Sequence, residues 1–76
     1  MLLEKEKYYV YLHRRAKDGV VFYVGKGCGN RAYAKERSRN WSSFIGSDLY
    51  EILFEEIDLS EDAAIDLESH LIENLS

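Results

Sequence analysis

The stretch 8–31 leaves this chain few folds to choose from. Two short runs rich in tyrosine and valine, 8–12 and 20–24, flank a polar link that carries Asp18-Gly19. Aromatic and β-branched residues suit a pleated, half-buried surface. Asp-Gly between two such runs signals a hairpin, because glycine reaches positive φ at no steric cost. Side chains alternate along a strand, so Tyr9, Tyr11 and His13 share one face, and Val21 and Tyr23 share one face of the partner. The second run leads into Gly25-Lys26-Gly27-Cys28-Gly29, where the backbone can turn sharply or approach another group closely. No Gly-Lys-Ser/Thr follows, which excludes a Walker loop.

The remaining elements follow from pattern. Residues 1–7 form a polar, loosely ordered lead-in. Residues 8–14 and 20–24 are strands, with 15–19 as their link. Asn30 is suited to cap a helix over 31–38, on which Arg31 and Lys35 share a face. Trp41, Phe44 and Ile45 suggest a short second helix within 38–46, packing on the sheet. Residues 49–57 alternate, Tyr50, Ile52, Phe54 and Glu56 against Glu51, Leu53, Glu55 and Ile57, and read as a third strand. Ser60 followed by Glu61 and Asp62 starts a helix running to Leu75, its apolar stripe at Ala64, Leu67, Leu71, Ile72 and Leu75. The expected fold is α+β: a three-stranded antiparallel sheet flanked by helices, in the order β-β-α-α-β-α, as a single domain over 1–76. A chain of 76 residues supports one small core.

The net charge of −4 is unevenly distributed. Residues 13–40 carry eight Lys or Arg against Asp18 and Glu36, whereas 41–76 carry ten Asp or Glu and no base. Such polarity can present a basic face to phosphates; two solvated faces of opposite sign are the plainer explanation. The single cysteine, Cys28, excludes an internal disulfide and fits a reducing compartment, hence a cytoplasmic setting. No apolar run is long enough to span a membrane, no signal-peptide core is present, and the scattered His and Cys lack zinc-site spacing.

Glu68 falls inside the apolar stripe of the last helix at about 100° per residue. A carboxylate there is costly to desolvate unless it pairs with an arginine, reaches solvent at a boundary, or binds a metal. Among strand tyrosines, packing is the ordinary role, and a lone arginine is ordinarily a surface residue.

Tyr9-Val10-Tyr11, Tyr23-Val24-Gly25, Arg31 and Glu68, in this order and spacing, resemble the GIY-YIG nuclease superfamily. The first two stand where that family has its Gly-Ile-Tyr and Tyr-Ile-Gly motifs, and the resemblance spans residues 8–75. It implies a metal-dependent endonuclease that hydrolyses phosphodiester bonds in DNA, with RNA as the alternative polymer. Tyr11 would take a proton from the attacking water, Tyr23 would position water or phosphate, and Arg31 would stabilise the transition state. Glu68 would hold one Mg²⁺, with Mn²⁺ as a substitute. A tyrosine needs cationic neighbours to act as a base near neutrality, and Lys26 and Arg31 are the candidates. Gly25, Lys26, Lys35, Arg37 and Arg39 are the candidate substrate contacts, while Trp41 fits the core better than nucleic acid. His13 and His70 lie off the expected positions.

The sequence departs from the family pattern in having Tyr9 for the leading glycine, and Lys35 where a histidine or tyrosine often follows the arginine. Lysine neutralises phosphate but is a poor general base, which gives the alternative reading of an inactive nucleic-acid-binding relative. A third reading uses the acidic half to bind a basic partner. Specificity in so short a chain is expected from a homodimer or a partner protein.

Overall fold

In the computed structural model, residues 7–33 and 39–75 are described. The fold is α+β. β1 (Tyr8–Arg15), β2 (Val21–Gly27) and β3 (Tyr50–Leu59) form an open antiparallel sheet in the order β2-β1-β3. α1 (Arg39–Ile45) lies between β2 and β3 in sequence, and α2 (Glu61–Leu75) follows β3. β1 is the central strand because both of its faces are apolar enough to be covered: Tyr9, Tyr11 and His13 are buried on one, Val10 on the other. α2 lies across β2 and β1, and Ala64 on it is fully buried.

The hairpin forms where Asp18-Gly19 predicts it. Gly19 adopts φ +72°, its N–H donates to the Arg15 carbonyl at 2.8 Å, and Arg15 N–H donates to the Val20 carbonyl at 2.8 Å. Asp18 Oδ1 accepts from Val20 N–H at 3.2 Å, and the Arg15 guanidinium grips the same carboxylate. Beyond this turn β2 carries a bulge. His13 pairs with Tyr23 but Arg14 pairs with Val21, leaving Phe22 as the extra residue. Val21 therefore shares a face with Arg14 rather than with Tyr23, contrary to simple alternation. Phe22 sits beside His13 and Trp41 and stacks on Phe44.

β2 runs further than its sequence suggests. Gly25 and Gly27 are ladder residues, paired with Tyr11 and Tyr9, and only the turn after Gly27 reverses the chain. That turn has Gly29 at φ +60° and continues into a 3₁₀ segment, Arg31–Tyr33, in place of an α-helical start at Arg31. The rest of the expected 31–38 helix lies outside the described residues, as do Lys35 and Arg37. Pairing of β1 with β3 also shifts register, between Val10 and Tyr11 and again between Tyr8 and Val10. The shifts end the alternation expected after Phe54 and leave Ile57 exposed.

α1 turns Trp41 and Ile45 inward and closes at Gly46, φ +52°, whose N–H donates to the Ser42 carbonyl at 2.9 Å. α2 starts as expected: Ser60 Oγ accepts from Ala63 N–H at 3.1 Å, with Glu61 and Asp62 in the first turn. Leu67, Glu68 and Leu71 are half-buried with Ala64, but Ile72 is 48% exposed and lies outside the buried stripe. Among the described residues no helix is long and apolar enough to cross a membrane.

Candidate active site

The two motif tyrosines meet across Gly25. Tyr11 stands opposite Gly25 on β1, and the Tyr11 and Tyr23 ring centroids are 6.0 Å apart. A Cβ on Gly25 would lie 2.6 Å from Tyr11 Oη and 2.8 Å from Tyr23 Cε2, so only glycine admits both rings here. Gly25 is consequently buried beneath them. Tyr11 is 1% exposed, Tyr23 half-buried, and Tyr9, Tyr11 and Ala32 form the core cluster against which Tyr23 and Ile52 pack.

Gly27 repeats this logic two residues on. A Cβ there would lie 2.6 Å from Arg31 Cγ and 2.7 Å from Arg31 Cβ, so the arginine stem rests directly on the β2 backbone. Arg31 is exposed beyond that stem and lines a cavity of about 250 Å³ with Tyr8, Lys26, Gly27, Cys28 and Glu61. Lys26 pairs with Val10 in the ladder and so lies on the sheet face opposite Tyr11. There its ammonium is 3.8 Å from Glu61 Oε2 and 5.4 Å from the Tyr8 ring centroid. The Arg31 stem rests on Gly27 beside the Tyr9 ring, on the sheet face that Tyr11 shares, whereas Lys26 lies on the opposite face.

Glu68 is half-buried on α2, one turn beyond Ala64, and does not line that cavity. Among the described residues no three His, Cys, Asp or Glu side chains converge. A lone carboxylate such as Glu68 would suit only an ion that retains most of its water shell. Arg39 is exposed at the start of α1. His70 is exposed, and Asn74 donates to its carbonyl at 2.7 Å, so neither joins the tyrosines.

Sequence reasoning passed over two residues that the structure places at the centre. Tyr9, expected only to pack, donates its hydroxyl proton to the Gly29 carbonyl at 2.6 Å and accepts from Ala32 N–H at 3.0 Å. His13 is fully buried: its Nε2 lies 2.9 Å from the Ala32 carbonyl, and its Nδ1 accepts from the Trp41 indole N–H at 3.0 Å. Indole is a donor only, so Nδ1 must carry the lone pair and Nε2 the proton, giving a neutral imidazole. The signal was the shared face of Tyr9, Tyr11 and His13, together with a core tryptophan that needs an acceptor.

Among the described residues, basic and acidic side chains pair across the two halves of the sequence. Arg14 pairs with Glu51 at 2.6 Å, Lys17 with Asp48 at 3.2 Å and Arg15 with Asp18 at 2.7 Å. With Lys26–Glu61, at least four bases among the described residues of 13–40 face a carboxylate, three of these from the acidic half. Hydrogen bonding from Arg15 holds the exposed Asp18 carboxyl below its ordinary pKa. Comparison with known protein families, curated proteins and solved structures returns no match.

Proposed function

We propose that this chain is a small GIY-YIG-type endonuclease domain that hydrolyses phosphodiester bonds in DNA with one divalent metal ion. The observation that supports it most directly is the pairing of Tyr11 and Tyr23 over a ladder glycine, two residues from the glycine on which Arg31 rests. Phosphate enters at the cavity edge, where the Arg31 guanidinium pairs with non-bridging oxygens and stabilises charge as the pentavalent transition state develops. Lys26 adds a second positive charge to that cavity once Glu61 yields it. Tyr11 and Tyr23 lie on the face opposite Lys26 and outside that cavity lining, so Tyr11 takes the proton of the attacking water, and Tyr23 aligns it, where the substrate crosses the β2 edge. Glu68, on the helix whose first residue Glu61 meets Lys26 on the Val10 face of the sheet, is the residue that would hold the Mg²⁺, which would supply Lewis-acid stabilisation of phosphate oxygens when bound. The setting is cytoplasmic, and a homodimer or partner protein contributes specificity.

A second reading has its own observation: Tyr11 is 1% exposed. A general base must reach the proton it abstracts, and a ring enclosed to that degree also suits a domain that binds nucleic acid through Arg31 and Lys26 without cutting it. Relaxation of supercoiled plasmid with Mg²⁺ or Mn²⁺ separates the two, comparing wild type with Glu68→Ala and Tyr11→Phe. Metal-dependent nicking that both substitutions abolish supports the nuclease. A folded wild type that binds DNA in a salt-sensitive manner and never nicks it establishes the binding reading instead.

A further inference from the structure

The 3₁₀ turn that carries Arg31 is not held by its own backbone alone. Two of its bonds are ordinary i→i−3 links: Arg31 N–H to the Cys28 carbonyl at 3.3 Å, and Tyr33 N–H to the Asn30 carbonyl at 3.0 Å. The bond between them in sequence would run from Ala32 N–H to the Gly29 carbonyl. At that place the Tyr9 hydroxyl is inserted, accepting from Ala32 N–H at 3.0 Å and donating to the Gly29 carbonyl at 2.6 Å. The other polar group of Ala32, its carbonyl, faces His13 Nε2 at 2.9 Å, and His13 is fixed in turn by Trp41 at 3.0 Å. One peptide residue, itself fully buried, is thus gripped at N–H and C=O by two side chains of the central strand.

We propose that Tyr9 and His13 are positioning residues for Arg31, holding the turn on the sheet so that the guanidinium meets phosphate at the cavity edge. This rests on the reading of Arg31 as the phosphate-binding arginine. The physical ground is that both grips are short, buried and directed, and that Ala32 is covalently next to Arg31. A hydroxyl spliced into a 3₁₀ link also fixes the distance between turn and sheet, which a direct backbone bond would leave to packing. The arginine stem pressed against Gly27 is the other boundary. Together they fix the backbone and the root of the Arg31 side chain, and misplacement of a reacting group by about 1 Å costs on the order of a hundredfold in rate.

The test is a double-mutant cycle of Tyr9→Phe with Arg31→Ala, read by plasmid nicking and by urea unfolding of each protein. Tyr9→Phe keeps the ring and removes only the hydroxyl. We expect it to lower nicking on the order of tenfold to a hundredfold in the wild-type background, and by less than about twofold when Arg31 is already absent, as for residues acting as a unit. Its effect on the unfolding midpoint should be the same in both backgrounds. An equal loss of nicking in both backgrounds overturns the proposal, because the hydroxyl then supports the fold and not the arginine. A folded Tyr9→Phe with wild-type nicking overturns it too. Should Tyr9→Phe not fold, His13 carries the same test: His13→Gln, which retains a side-chain N–H for the Ala32 carbonyl, must lose less than His13→Leu at matched stability.

A wild type that does not cut sinks the nuclease reading and leaves this inference testable. The same cycle is then read as the dissociation constant for a fluorescent oligonucleotide in EDTA, with the same non-additivity expected. Additive losses there, or no binding by the folded wild type, overturn it.

Discussion

Substituting Gly25 by alanine should be among the most damaging single-methyl changes this chain can suffer. The added Cβ would lie 2.6 Å from Tyr11 Oη, 2.7 Å from Tyr11 Cζ and 2.8 Å from Tyr23 Cε2. Ordinary contacts are nearer 3.5–4 Å, so about 1 Å of overlap must be relieved. Neither ring can simply swing away: Tyr11 is closed in by Tyr9 at 5.7 Å and His13 at 5.3 Å between centroids, and Tyr23 packs on His13 at 5.3 Å. Overpacking of this kind costs about 1–3 kcal/mol. Loss of glycine freedom in the unfolded chain offsets about 0.4–1 kcal/mol of that. The net expectation is a loss of about 1–2 kcal/mol, a considerable part of the roughly 4–11 kcal/mol that a domain of this length commands. Urea unfolding with an unchanged m-value would report it directly. In a Tyr11→Ala background the same substitution should cost distinctly less, since only the Tyr23 overlap remains. A folded Gly25→Ala protein within about 0.5 kcal/mol of wild type would refute the ring-over-glycine packing, and with it the basis for placing the two tyrosines together.

Four further outcomes follow. Gly27→Ala, which drives a Cβ into the Arg31 stem, should reduce nicking, or binding in EDTA, more than tenfold and lower the urea midpoint less than Gly25→Ala does. Glu61→Gln frees Lys26 from its carboxylate; oligonucleotide binding should tighten at low salt, with the log–log salt slope steeper by up to about 0.9 per added phosphate contact. Trp41→Phe leaves the buried Nδ1 of His13 without its donor, a loss of about 1–3 kcal/mol in urea unfolding. Asp18→Asn tests the hairpin cap: the Asp18 pKa is depressed by its hydrogen bond from Arg15, so the folded state holds the proton less tightly than the unfolded chain. Its contribution is present above the ordinary carboxylate range and lost as pH falls through the depressed value. Thermal midpoints of wild type and Asp18→Asn should therefore differ slightly at neutral pH and converge in acid.

What could be read in advance was the part of the fold that depends on local pattern. Asp18-Gly19 specified the hairpin because the turn needs a positive φ, and Ser60-Glu61-Asp62 specified the start of α2 because a helix N-terminus needs an acceptor and tolerates carboxylates. The buried stripe around Ala64 followed from a period of 3.6, with Glu68 half-buried inside it. What escaped depends on partners distant in sequence. Gly25 and Gly27 look like turn residues, yet they are strand residues cleared for Tyr11 and Arg31, and no local signal separates those two uses. The Phe22 bulge exists because α1 presents Trp41 and Phe44 to that point, so alternation within β2 could not reveal it. Likewise the interleaving of charges is a consequence of strand order: β3 beside β1 brings Glu51 to Arg14, and α2 brings Glu61 to Lys26.

In a domain this small the candidate site and the core are largely the same atoms. Tyr9, Tyr11 and Ala32 are the buried cluster, and they are also the residue that splices the turn, the proposed base and the residue beside the proposed phosphate arginine. The opposite face of β1 contributes Val10, paired with Lys26, and Glu61 at the start of α2, the helix that carries Glu68, reaches Lys26 on that face. One strand therefore sets the position of Arg31 through one face and supports the helix of Glu68 through the other, and a one-residue slip of β1 would exchange the two sets. Loss of activity in a variant of this strand consequently says little until stability has been measured on the same protein. Variants that spare the core but touch the edge, at Lys26, Glu61 and the outer half of Arg31, separate chemistry from folding. The core positions become informative only in pairs, where a shared dependence on Arg31 survives after the common cost of destabilisation has been subtracted.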